Sequence, residues 1–79
     1  MSRTLDARRH EALRVFLVER RKIAGLRQVD LAKRLGRTQS YVSNIEIGQK
    51  HIALIELIEW GEAIGFDPEE AIMEIAKIK

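Results

Sequence analysis

Seventy-nine residues, 46% of them apolar and 33% charged, suffice for one small domain and leave no room for a second. The chain has no cysteine, no apolar run near the roughly 18 residues of a membrane span, and no apolar stretch behind its basic N-terminus, which excludes a disulfide framework, a thiolate metal site, a spanning helix and a signal peptide and makes the cytoplasm the expected location. The formal net charge of +2 divides unevenly: residues 1–37 hold eleven basic against four acidic residues (+7), and residues 38–79 three against eight (−5), so one half carries a footprint for phosphate.

In chain order, residues 1–4 are expected to form a flexible tail or arm, in which Arg3 could meet a phosphate. A first helix is expected from residue 5 or 6 to 24. Leu5, Ala12, Leu13, Phe16, Leu17, Arg20, Ile23 and Ala24 keep helical spacing, and Gly25 ends it. Leu13, Phe16, Leu17 and Ile23 are the core candidates, and Leu26 packs under the turn that follows. His10 stands among charged residues with no ligand partner at useful spacing and reads as solvated.

Residues 27–48 then read as two short helices joined by a tight turn. Val29, Leu31, Ala32 and Leu35 give the first an apolar face, and Val42 and Ile45 give one to the second. Gly36 between them can take the left-handed conformation at a helix end, and Thr38 can cap the second helix with its hydroxyl. Helices crossing steeply over so short a turn need a small residue at the crossing, and Ala32 supplies it.

The second of these helices, over 39–47, has two faces. Val42 and Ile45, with Glu46 beside them, point one way; Gln39, Ser40, Ser43 and Asn44 form one patch on the other. An idle solvated face usually carries Glu and Lys. Gln and Asn instead match the two hydrogen-bonding positions of an adenine edge in the major groove, and Ser serves several bases. The plainer reading, an ordinary polar surface, uses the same four residues.

After Gly48 a polar loop, residues 49–51, carries Lys50 and His51. A fourth helix is expected over 52–64, with Leu57, Trp60, Gly61 and Ile64 as its core face. Gly61 inside a helix costs up to about 1 kcal/mol relative to Ala, which close approach of another helix would explain. Gly65 closes that helix and Phe66 folds back into the core. The run Asp67, Pro68, Glu69, Glu70 is the clearest helix start in the chain, with Asp at the cap, Pro at the first position and two carboxylates at the positive end of the dipole. The last helix carries Ala71, Ile72, Met73, Ile75, Ala76 and Ile78.

The stretch from Gln28 to Gly48 resembles the helix-turn-helix of the phage repressor and Cro family, also called the Xre family. The matching residues are Gln28, Leu31-Ala32, Leu35-Gly36, Thr38-Gln39, Val42-Ser43 and Ile45-Glu46 followed by Gly48, and a weaker similarity runs from Ala12 to Phe66. The resemblance implies an all-α, compact, five-helix lambda-repressor-like domain with its motif in helices 2 and 3. It implies that Gln39, Ser40, Ser43 and Asn44 contact bases and that Gln28, Arg27, Arg37, Thr38, Tyr41 and Lys50 contact the DNA backbone. Three positions depart from the family pattern. Arg27 replaces a Thr or Ser cap, leaving Asp30 to compensate through the dipole. Arg37 replaces an apolar residue, which implies a more exposed turn. Ile52 replaces a Pro, which leaves the start of helix 4 open by a residue or two.

Apolar residues exceed what so small a core can bury, and Ile52, Leu54, Ile55, Ile58, Ile72 and Ile75 are the candidates for a homodimer interface built with the C-terminal helix, residues 67–79. Two motif helices about 34 Å apart in such a dimer would match one turn of DNA. The expected function is a sequence-specific DNA-binding transcriptional regulator acting on a palindromic operator. A helical protein-interaction module and the antitoxin of a toxin–antitoxin pair are the alternatives, with a toxin or RNA polymerase as a further partner. No catalytic constellation, metal set or Gly-rich phosphate loop is present in the sequence, so no enzyme, cofactor or metal is expected.

Overall fold

Each helix begins where a short local bond satisfies a free backbone N–H. The computed structural model of the chain describes residues 4–79, and the expectation for Arg3 lies outside them. Within these residues the helices are α1 (Leu5–Ile23), α2 (Gln28–Leu35), α3 (Gln39–Glu46), α4 (Leu54–Ile64) and α5 (Pro68–Ala76), with no strand among the described residues. Thr4, assigned from sequence to the tail, caps α1: its hydroxyl accepts the Ala7 N–H at 3.0 Å. At α2, α4 and α5 the cap works in reverse. The side chains of Asp30, Glu56 and Glu70 accept the backbone N–H of Arg27, Ala53 and Asp67 at 2.9, 2.9 and 3.3 Å. The Asp67 side chain, expected as the cap of α5, makes no capping bond.

The core gathers Leu17 from α1, Leu31 and Ala32 from α2, Val42 and Ile45 from α3, Leu57 and Trp60 from α4, Ala71 from α5, and Phe66 from the α4–α5 connection. Phe16 meets Phe66 edge-on, ring centres 5.1 Å apart. Leu13 and Ile64 pack at its margin. Ile23, expected in the core, is 81% exposed. It shares the Phe16 stripe, but α1 and α5 run antiparallel, with Arg20 opposite Glu70 and Arg8 opposite Lys79. Nothing from α5 therefore extends far enough along α1 to cover Ile23.

Two details of α4 also differ from expectation. It starts at Leu54, two residues late, because Ile52 leaves the helical path to pack against the core. Gly61 makes room for the chain's own return rather than for another helix: a Cβ there would lie 2.7 Å from the Phe66 carbonyl oxygen.

Candidate nucleic-acid interface

The turn between α2 and α3 sets the angle at which α3 is presented. Gly36 takes φ 66°, and the Arg37 N–H returns to the Ala32 carbonyl at 2.9 Å. Thr38 then accepts the Tyr41 N–H on its hydroxyl at 3.2 Å and starts α3. Val42 and Ile45 are fully buried behind the helix. Gln39 and Ser40 are exposed on its outer side, with Ser43 and Asn44 half-buried beside them, so the four expected base-contacting residues share a surface.

Behind that surface lies an acid the sequence placed only beside the packing face. Glu46 is buried and takes a two-pronged bond from Arg21 of α1, Nε to Oε2 at 2.6 Å and Nη2 to Oε1 at 3.0 Å. Arg21 also donates to the Leu26 carbonyl at 2.8 Å. Gln28 Nε2 donates to Glu46 Oε1 at 2.9 Å, and Gln39 Nε2 reaches Gln28 Oε1 at 3.5 Å. The polar face of α3 is thus tied to α1 and α2 through a chain of oriented amides and charges. The other Nε2 hydrogen of Gln28 is left without a partner among the described residues. Arg21 was missed in sequence because an arginine in a helix pattern signals solvent; its spacing four residues after Leu17 was the available clue.

The expected backbone-contacting residues divide. Thr38 and Arg37 are exposed at the turn, and the Arg37 guanidinium sits 4.6 Å from the centre of the Tyr41 ring. Tyr41 itself is turned partly inward. Its hydroxyl donates to Glu56 Oε2 at 2.6 Å and accepts from Trp60 Nε1 at 3.2 Å, so its one proton is already committed. Burial, and then the bond to Glu56, push this phenol up to about 12, while the bond from Tyr41 holds the Glu56 carboxyl below its ordinary value. Arg27 is exposed but paired: its Nε and Nη2 each lie 3.0 Å from the Asp30 carboxylate, which that hydrogen bonding holds down at about 2. Lys50 is exposed, and the backbone N–H groups of Gln49 and Lys50 both bind the Asn44 carbonyl, at 2.9 and 3.1 Å, so the loop is fastened to the end of the polar face.

The basic half of the sequence is not simply a phosphate footprint. Arg8 and Arg9 donate to the carbonyls of Lys79 and Ile78, Arg20 pairs with Glu70, Arg21 with Glu46, and Arg34 donates to the Ala63 carbonyl. These arginines hold helix ends and helix pairs together. His10 is not a lone solvated histidine: its ring stacks on that of His51, centres 3.6 Å apart and planes 13° from parallel.

Of the six expected interface residues, Leu54, Ile55, Ile58 and Ile72 are exposed and Ile75 is half-buried. Ile52 is half-buried and packs against the core. Ile47 and Met73, 57% and 64% exposed, add to the apolar surface. No helix of the described residues is long and apolar enough to cross a membrane.

Comparison with known proteins agrees with this geometry. A family model described as Helix-turn-helix matches residues 17–70. Among solved structures the chain is similar to an XRE-family like protein from Pseudomonas syringae pv. tomato str. DC3000, with 35% identity over 94% of this chain and 90% of that one and a TM-score of 0.87. It is also similar to the clp gene regulator ClgR from C. glutamicum, with 25% identity, 96% and 94% coverage and a TM-score of 0.78. No curated protein matches.

Proposed function

The chain belongs to the Xre family of helix-turn-helix DNA-binding regulators, and from that premise we propose that it acts in the cytoplasm as a homodimer on an operator made of two inverted half-sites. It is a single domain in this reading, with residues 28–48 as the reading motif and the C-terminal helix contributing to the dimer. Gln39, Ser40, Ser43 and Asn44 read bases from the major groove. The observation that carries the assignment is the contrast between the two sides of α3: a neutral, hydrogen-bonding outer face set on a buried Arg21–Glu46 pair that also holds Gln28. Gln39 keeps its carbonyl oxygen and one N–H for the two positions on an adenine edge. Lys50, Arg37 and the remaining N–H of Gln28 serve the phosphates, while Tyr41 and Arg27 are given to Glu56 and Asp30.

Two exposed apolar strips, Leu54, Ile55 and Ile58 on α4 and Ile72 with Met73 on α5, favour self-association over a free surface. Selection of bound sequences from a random duplex library tests the whole reading. An enriched inverted repeat with half-sites about one helical turn apart is expected. Asn44→Ala should then lose about 1–3 kcal/mol on the selected site and relax preference at one position per half-site, whereas Lys50→Ala should weaken all sequences alike. Equal losses on selected and random DNA for Asn44→Ala would remove it from the base-reading set.

A further inference from the structure

Most arginines are engaged within the chain, and two of the cations without an ion pair among the described residues gather in one place. Arg8, Arg9, Arg20, Arg21, Arg27 and Arg34 are bonded within the chain, to carboxylates or to helix-end carbonyls. Arg14 and Lys50 have no ion pair among the described residues, and they line one small hollow together with His10 and His51. Two elements meet there. α1 brings His10 and Arg14 one turn apart, and the loop after α3 brings Lys50 and His51. The Arg14 guanidinium is packed under Gly48, 3.0 Å from where a Cβ would stand, and Gly48 at φ 85° bends the loop over it. The loop is bonded to the Asn44 carbonyl at the end of α3, so its Lys50 follows directly on the reading helix.

We infer that this cluster is a phosphodiester site whose stacked histidines take up a proton as DNA binds. The inference rests on the DNA-binding reading above and adds His10, Arg14 and His51 to it. Arg14 and Lys50 supply fixed positive charge. Histidine is the side chain that changes charge between pH 5 and 8, and a phosphate oxygen nearby favours the imidazolium over the imidazole. Binding and protonation therefore reinforce each other. The charged groups around the pair are Arg14 on α1 and Lys50 on the loop, with the largely exposed Asp6 carboxylate 3.6 Å from His10 Nε2; beyond them, Glu56 of α4 feels the charge of Lys50, Glu19 and Glu46 line a neighbouring hollow with Arg14, and α3 brings the apolar Ile45 to the hollow itself. Phosphate recognised this way is read without regard to sequence.

Fluorescence anisotropy with a labelled duplex of mixed sequence, at constant ionic strength between about pH 8 and pH 6, tests it. Affinity of the unaltered protein should rise as pH falls, by up to about tenfold per unit for each proton taken up. His10→Gln combined with His51→Gln should bind as the unaltered protein does at pH 8 and lose the rise. His51→Lys should bind at pH 8 as tightly as the unaltered protein does at pH 6. Parallel pH profiles for the unaltered protein and the double variant would overturn the site while leaving DNA binding intact. No binding of any duplex by the unaltered protein at either pH would remove both the site and the reading it rests on.

Discussion

At the scale of the residue, the decisive group is a charged pair almost hidden from solvent. Glu46 and Arg21 are nearly fully buried as a charged pair, and such pairs rarely stabilise more than an apolar replacement would, whereas breaking one leaves a charge uncompensated. Glu46→Gln should therefore cost about 3–5 kcal/mol of stability, read as a lowered urea midpoint from the emission of the single tryptophan, Trp60. Arg21→Met with Glu46→Leu should recover most of that loss. A small loss for Glu46→Gln alone would mean that water reaches the pair. Tyr41, the one tyrosine, gives a pH reading without interference from another phenol. Its folded value near 12 lies above the ordinary 10, so it stabilises the fold fully below pH 10 and that contribution is lost as pH rises from 10 to 12. Phenolate absorbance should appear near pH 12, and Glu56→Gln should bring the midpoint only part of the way back to 10, because burial is the larger cause. Arg21 left only its spacing from Leu17 as a clue, and the His10–His51 stack left none in the sequence. Spacing reports which residues share a helix face, but a pairing between α1 and a loop some forty residues later leaves no periodic trace.

At the scale of the element, the helices were largely legible because their ends are written in local chemistry. Gly36 and Gly65 stand in the left-handed conformation where a helix was expected to stop, and Pro68 stands where one was expected to start. What failed was position along an axis. Ile23 obeys the 3.6-residue rule yet lies beyond the end of its neighbour, and Ile52, expected to open α4, lies before it and packs against the core. Both outcomes depend on where another element begins. Gly61 shows the same dependence on tertiary context, since helix propensity alone recommends Ala there by up to about 1 kcal/mol. The Phe66 carbonyl, 2.7 Å from the added methyl, belongs to backbone that cannot easily retreat. Gly61→Ala should therefore lower the melting temperature, with a net loss of about 1–3 kcal/mol. An unchanged or raised melting temperature would mean that the α4–α5 connection yields at little cost.

At the scale of the whole molecule, the charge asymmetry of the sequence becomes an internal clasp: arginines of α1 close the carboxyl end of α5 and pair with Glu70 near its start. The apolar strips on α4 and α5 then carry the proposed dimer. Ile55 is 67% exposed, so Ile55→Asp should leave the fold of one protomer intact while moving sedimentation from dimer to monomer and reducing affinity for a two-half-site operator. A variant that still sediments as a dimer would place the interface elsewhere. The clasp has a further consequence during synthesis. α1 leaves the ribosome ahead of the other four helices, yet the element it packs along most extensively, α5, leaves after them. Phe16 must wait for Phe66, Arg20 for Glu70, and Arg8 and Arg9 for the carbonyls of Lys79 and Ile78. The α2–α3 unit, with Arg21 already available to Glu46, can assemble while the apolar stripe of α1 is still uncovered. A nascent chain halted before α5 would thus present a nearly formed reading head on an open body, a form that chaperones and proteases would meet before DNA does.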